Sequence, residues 1–348
     1  MMDSCILEGQ PLSKRSLRAI VESYKDGPQL MESIRQAQAD QDFSTVFIKE
    51  HEGYAQLHGT HTSSIRTCHN LRQSKGGGEL FLFIHGLGGT LEQFEPVLRE
   101  LDQRNKSFLA FDLPGFGKSD EWDQYPMLDV VKSIDWLIHQ LTNNLKFEKL
   151  NLIGHSMGCY LAVHFYLLFH ESWCISRLVL LAPPKPNVDQ LSKSKYLIQF
   201  GLQTGFRFPW MFDIYRTRFD QSKGLSSSGI KQFFYRDGDI TDKYRKLWQF
   251  HNNVQIKSRS IFGYFLGWEE IDWNVLNRVL SHQESKTKLL ILCGEKDTIT
   301  PEKYSREIYD LLSDVPSKEI ITIPNCGHNL CFDLPEVVNQ IFCDSILQ

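Results

Sequence analysis

Three short segments carry residue types that together could break an acyl bond. The first is Gly154-His155-Ser156-Met157-Gly158, a G-x-S-x-G run that directly follows an apolar, strand-like stretch and directly precedes a helical one. The pattern alone is a weak signal, and its context gives it force. A serine on a tight strand-to-helix turn is held in a strained backbone conformation, with its hydroxyl above the sheet and a helix N-terminus beneath it to favour developing negative charge. Ser156 is the candidate nucleophile.

A serine hydroxyl is a poor nucleophile near neutral pH and needs a base within hydrogen-bond reach. Asn325-Cys326-Gly327-His328 follows the last strand-like run, EIITIP, and this position singles out His328 among 12 histidines. The third requirement is a carboxylate that fixes the imidazole tautomer, and Asp297 stands in the loop GEKDTITP just past KLLILCG. Glu295 is the nearest rival for that role and Asp189 a more distant one. A tetrahedral intermediate also needs two backbone N–H donors. Met157, after the nucleophile, offers the first, and the Gly-rich loop FIHGLGG, through Leu87, offers the second.

Two further patterns are weaker. Gly115-Phe116-Gly117-Lys118-Ser119 lacks the four-residue gap of a phosphate loop and follows Pro114, so it reads as a loop flanking the pocket rather than a nucleotide site. His328 and Asp333 fit H-x4-D, a spacing associated with acyl transfer to lysophospholipids, in part because the candidate base already occupies its first position.

These side chains need a scaffold. ELFLFIH, SFLAFD, KLNLIG, RLVLLA, KLLILCG and KEIITIP form near-continuous apolar runs that mostly alternate with helical stretches, the pattern of a parallel sheet covered on both faces. The expected fold is α/β, a mostly parallel, doubly wound sheet. Before it, STVFIK and SSIRTCHNL read as short β-type runs, and residues 1–42 read as a helical extension broken at Gly27-Pro28. Between RLVLLA and KLLILCG the connection far exceeds an ordinary crossover, so residues 185–284 are expected to form a cap inserted into a core made of 43–184 and 285–348. The cap sequence crowds aromatic and aliphatic groups among few charges, as in YLIQFGLQTGFRFPWMFDIY, which suits either packing onto the core or a lid that touches lipid.

The chain of 348 residues is 41% hydrophobic and 23% charged, enough to bury a large core. A net charge of -4 offers no basic surface for a phosphate backbone, so no nucleic-acid partner is expected. The 8 cysteines show no CxxC pair and no zinc-ligand spacing. They read as mostly buried, reduced thiols of a cytosolic protein, and no metal or organic cofactor is implied. The N-terminal residues lack the apolar run of a signal peptide, and no stretch approaches a bilayer span, so a soluble or peripheral protein is expected.

The nucleophile turn, the Gly-rich loop and the Ser, Asp, His order together resemble the α/β-hydrolase superfamily from about residue 79 onward. IRTCHNL, LEQFEP, LAFDLPGFGKSDEW, YPMLDVV, GHSMGCYLA, SSGIKQFFY, YRKLWQFHNN, GYFLGWE and CGHNLCFDLPE further resemble the lipid droplet hydrolases of yeast and its fungal relatives. That resemblance implies an esterase and triacylglycerol lipase acting on neutral-lipid esters at the droplet surface, with a role in neutral-lipid and phospholipid balance. It implies Ser156, Asp297 and His328 as the catalytic set. The closing Ile346-Leu347-Gln348 departs from the yeast protein's peroxisomal-type ending, which speaks against peroxisomal import. Two other readings remain, a lysophospholipid acyltransferase using His328-x4-Asp333 and an inactive scaffold at the droplet surface. Acyl chain length and oligomeric state are open.

Overall fold

The computed structural model describes residues 46–57, 62–71, 74, 76–142, 145–188, 191, 196–220, 227–236, 240–282 and 285–347. The N-terminal extension, Cys5 and Asp189 lie outside the described residues.

Eight strands form one sheet: β1 (Glu52–Leu57), β2 (Ser63–His69), β3 (Glu79–Ile84), β4 (Ser107–Phe111), β5 (Lys149–His155), β6 (Ile175–Leu181), β7 (Lys288–Gly294) and β8 (Lys318–Ile323). Their order is β1-β2-β4-β3-β5-β6-β7-β8. β1 and β2 pair antiparallel with their neighbours, and every pair from β4 to β8 is parallel. The apolar runs explain this arrangement. β3, β5 and β7 are buried at every position after the first, as befits strands covered on both faces. The edge strand β8 is only partly buried.

One expectation is corrected at the start. STVFIK was expected to be β-type, but Val46–His51 is a helix, α1. Phe47 and Ile48 are adjacent and both buried, a pattern shared by a helix side and by a strand covered on both faces, so the short apolar run does not separate the two. His51 stacks one turn away on Phe47, with ring centroids 4.3 Å apart, and Phe47 in turn lies on Phe108 of β4. The strand falls one step later, at β1, whose buried positions are Gly53, Ala55 and Leu57, two of them small, so that it leaves little hydrophobic signal.

Helices cover both faces. α2 (Glu95–Gln103) packs with α1 and the C-terminal Phe342 and Ile346 on one side. α3 (Met127–Thr142) and α4 (Met157–Phe169) pack on the other. Between β6 and β7 lie α5 (Tyr196–Arg207), α6 (Pro209–Tyr215), α7 (Ile240–Gln255), α8 (Ser258–Leu266) and α9 (Trp273–Ser281). α10 (Glu302–Leu311) links β7 to β8, and α11 (Pro335–Ile341) follows.

The helices of the β6–β7 connection differ in attachment. α8 is fixed to the core by Tyr264, fully buried in a stack with Phe116 and Tyr125 at centroid distances of 5.2 and 4.8 Å, its hydroxyl donating to the Pro114 carbonyl. α5 and α6 bury no side chain completely and leave Leu197, Phe200, Trp210, Met211 and Tyr215 exposed. The long connection therefore has an anchored half and an apolar, solvent-facing half.

Candidate active site

Every candidate residue follows the carboxyl end of a strand, on the rim where open α/β sheets bind their ligands. β5 ends at His155, and Ser156 turns the chain into α4 with φ of 53°, a left-handed value that costs a non-glycine residue energy. Neighbouring backbone must come close to make that turn. A Cβ on Gly154 would strike the carbonyl of Gly158, and a Cβ on Gly158 would strike the carbonyl of Ile84 at the end of β3. Glycine is required at both positions by contact rather than by torsion.

Gly86 lies against Ser156, where a side chain would meet its Cβ at 2.8 Å and its Oγ at 3.4 Å. The Gly-rich loop is thus laid on the nucleophile. Its orientation is set by His85, which is fully buried: the Leu113 amide donates to Nε2 at 2.8 Å, so Nδ1 carries the proton and donates to the Gly86 carbonyl at 2.7 Å. A trans peptide points its carbonyl and N–H to opposite sides, so holding the Gly86 carbonyl against His85 turns the Leu87 N–H away from it. Burial lowers the His85 pKa to about 4, and the ring stays neutral in this role.

The far end of the loop is tied to charge. Asp112, after β4, accepts from the Leu91 amide at 2.8 Å and from the Lys118 amide at 2.9 Å. Gly117 presses on the same carboxylate. GFGKS therefore wraps a side chain of its own protein. Arg66 joins Asp112 to Glu92 and Glu52 with N–O distances of 3.2, 2.6 and 2.5 Å. Such a buried cluster resists loss of any single partner, which would leave an uncompensated charge.

The candidate acid and base are joined. His328 Nδ1 donates to Asp297 Oδ2 at 2.8 Å, with both side chains almost wholly buried. Asp297 Oδ1 accepts from the Ile299 and Thr300 amides, each at 2.8 Å, and the Thr300 hydroxyl lies 2.7 Å from Oδ2. Burial works to raise the Asp297 pKa, but the His328 bond and charge and the Thr300 bonds outweigh it and hold the carboxyl below its ordinary value. Asp297 is thus ionised and fixes the proton of His328 on Nδ1, leaving Nε2 as the acceptor. Glu295 is exposed and accepts from the Asn325 amide at 3.0 Å instead.

His155, the residue before Ser156, ties the nucleophile turn to the His328 loop. Its Nε2 donates to the His328 carbonyl at 2.9 Å, and the two rings lie 4.8 Å apart. No hydrogen bond joins the Ser156 hydroxyl to the imidazole in this structure, so the relay is closed at its acid end and open at its nucleophile end. Catalytic hydrogen bonds of this kind often tighten only when substrate is bound. Asp333, the end of the H-x4-D spacing, does not face the His328 ring; its oxygens accept from the amides of Gly327, Tyr235 and Arg236.

His85, His155 and Thr300 were missed as functional side chains because sequence spacing says nothing of what a histidine beside a motif will touch. Burial depresses the His155 pKa to about 3, whereas in the unfolded chain it titrates near 6.5. The folded value being the lower one, the stability it contributes is present above about pH 6.5 and is lost as pH falls below that. His155→Gln removes the titration and keeps an N–H donor. Between pH 7 and pH 5 the wild type is expected to lose about 2 kcal/mol more urea stability than the variant. Identical pH dependence in the two proteins would contradict the burial of a neutral ring.

Residues 79–335 match the family described as alpha/beta hydrolase fold. The chain belongs to that family and is a hydrolase by class. Among curated proteins it is 45% identical to Lipid droplet hydrolase 1 of Saccharomyces cerevisiae, over 96% of this chain and 93% of that protein. It is 27% identical to the AB hydrolase superfamily protein YisY of Bacillus subtilis, over 76% of this chain and 91% of that protein. Among solved structures, an esterase from Exiguobacterium antarcticum shares the fold with a TM-score of 0.62 at 18% identity, over 85% of this chain and 99% of that one. Among the described residues no helix is long and apolar enough to cross a membrane.

Proposed function

We propose that the chain is a serine esterase and triacylglycerol lipase that cleaves neutral-lipid esters at the surface of lipid droplets. The observation that carries the reading is the Asp297–His328 pair, with the base proton fixed on Nδ1, whose loop is bonded to His155, the residue before a serine with φ of 53°. Ser156 attacks the ester carbonyl and His328 Nε2 takes its proton. The Met157 and Leu87 amides hold the oxyanion, and His328 then protonates the leaving alcohol. Water, activated by the same ring, releases the fatty acid from the acyl-enzyme. The scheme uses side chains and backbone amides alone. The name of the yeast relative, which covers nearly the whole chain, supports a lipid ester as substrate and the droplet as location.

The connection spanning residues 185–284 is then the cap, and its α5–α6 half is the lipid-facing lid. Exposed Trp210 and Tyr215 support that assignment. Phe212 turns inward instead, with its ring 5.3 Å from Phe262 of α8. The test is product analysis with an emulsified triacylglycerol, from which the pure protein is expected to release free fatty acid. Burying an aromatic side chain is worth roughly 1.5–3 kcal/mol. Trp210→Ser combined with Tyr215→Ser should therefore lower release from the emulsion about tenfold or more while leaving p-nitrophenyl acetate turnover intact. Absence of fatty acid from the wild type would end the lipase reading, and equal emulsion rates in both proteins would end the lid assignment.

A further inference from the structure

Asp333 lies outside the scheme above, yet it is 1% exposed and its carboxylate collects three backbone amides from two distant parts of the chain. Oδ2 accepts from Gly327 at 2.5 Å and from Tyr235 at 3.0 Å, and Oδ1 accepts from Arg236 at 3.0 Å. Gly327 directly precedes His328, whereas Tyr235 and Arg236 belong to the β6–β7 connection. The same two segments meet again one residue away, where the Asn329 amide donates to the Phe233 carbonyl at 2.9 Å. The Phe233 ring stands edge-on to the His328 ring at 5.5 Å. Contact is close enough that a Cβ on Gly327 would lie 2.9 Å from the Tyr235 nitrogen and 3.0 Å from the Phe233 oxygen. α7 adds a further link, with Gln249 Oε1 accepting from Asn329 Nδ2 at 3.3 Å.

We infer that Asp333 is a positioning residue that knots the segment Phe233–Arg236 to the loop carrying His328, so that the placement of the imidazole over Ser156 depends on that segment being docked. An anion that receives three N–H bonds is strongly held, because charge-assisted bonds exceed neutral ones. Without it, the buried Gly327 amide and the part-buried Tyr235 and Arg236 amides lose their acceptor, and among the described residues the joint leans on the Asn329–Phe233 bond, the ring contact, the Arg236–Glu336 pair and the Asn329–Gln249 bond from α7. The His328 loop would then be held more firmly from the sheet side, by His155 and Asp297, than from the connection. The open link between Ser156 and His328 is the distance such loosening would lengthen. The H-x4-D spacing is on this view a structural signature of the joint between connection and core, and acyl transfer does not call on its aspartate. The inference rests on His328 being the base, as proposed above.

The experiment compares wild type, Asp333→Asn, Asp333→Ala and Gly327→Ala on p-nitrophenyl acetate, with active sites counted by a fluorophosphonate probe. Misplacing a catalytic group by about 1 Å can cost about 100-fold. Asp333→Ala is expected to lower kcat per active site about 10- to 100-fold with KM within about twofold, since the soluble ester needs no cap contact. Asp333→Asn keeps one acceptor oxygen but turns an NH2 toward an amide, so its kcat should fall between wild type and alanine. Gly327→Ala keeps the carboxylate and wedges the segments apart; it should reproduce the kcat loss, and it serves if Asp333→Ala fails to fold. Unchanged kcat per active site in Asp333→Asn and Gly327→Ala would overturn the inference. So would loss of acyl transfer to a lysophospholipid in Asp333→Asn with ester hydrolysis intact, because that outcome makes the aspartate a chemical participant. Neither result would touch the assignment of Ser156, which has its own test.

Discussion

Ser156→Ala is expected to lower kcat for p-nitrophenyl esters by at least about 10⁴-fold, leaving the residual turnover that binding and an oxyanion hole support without a nucleophile. The loss should be one of chemistry and not of folding. Among the described residues the Ser156 hydroxyl makes no hydrogen bond, and the left-handed turn is imposed by backbone contacts at Gly154 and Gly158 that alanine leaves in place. The thermal midpoint should therefore shift little. Labelling by a fluorophosphonate should vanish together with turnover. A variant that still turns over esters at the wild-type rate would remove the basis for the whole scheme, whatever happened to its affinity for lipid.

Asp297→Asn should come second in size, with a kcat loss approaching about 10⁴-fold, the scale seen when the acid of a comparable triad is made an amide. The direction follows from the hydrogen bonds. Oδ1 is committed to the Ile299 and Thr300 amides, so the Asn nitrogen must take the place of Oδ2, facing His328 Nδ1. Two donors then oppose each other unless the ring moves its proton to Nε2, and that tautomer cannot accept a proton from Ser156. Glu295→Gln is the matched control. It alters a carboxylate two residues away that caps the Asn325 amide, and its kcat should stay within about twofold of wild type. If Glu295→Gln proved the more damaging of the two, the acid would have been misassigned.

Much of the fold can be read directly from the chain because its physical cause is local. ELFLFI, KLNLIG and KLLILC are strands buried on both faces, as short near-continuous apolar runs bounded by turn residues suit. The expected strand after Ser44 failed for the converse reason. Two adjacent buried residues do not distinguish helix from strand until it is known what lies beside them, and Phe108 and Arg99 are far away in sequence. β1 left little trace because two of its three inward residues, Gly53 and Ala55, are small.

The same division runs through the site. Ser156, His328, Asp297 and the Gly-rich loop were each legible from residue type and from position after a strand, since a parallel sheet brings the carboxyl ends of its strands to one rim. The G-x-x-D loop ahead of Thr300-Pro301 also favoured Asp297 over Glu295. Only the folded chain decided which carboxylate the imidazole meets, that His85 turns the Leu87 peptide, that GFGKS encloses Asp112, and that Asp333 serves the backbone of the β6–β7 connection rather than the His328 ring. The contacts of Asp297 and Asp333 join residues 31 and 98 positions apart, and even the nearer ones depend on where the loops lie. Hydrophobic periodicity encodes which elements form and which face they bury; the partner of a buried polar group is set by where the elements come to rest, because in the interior it must find whatever donor or acceptor packing has placed within reach.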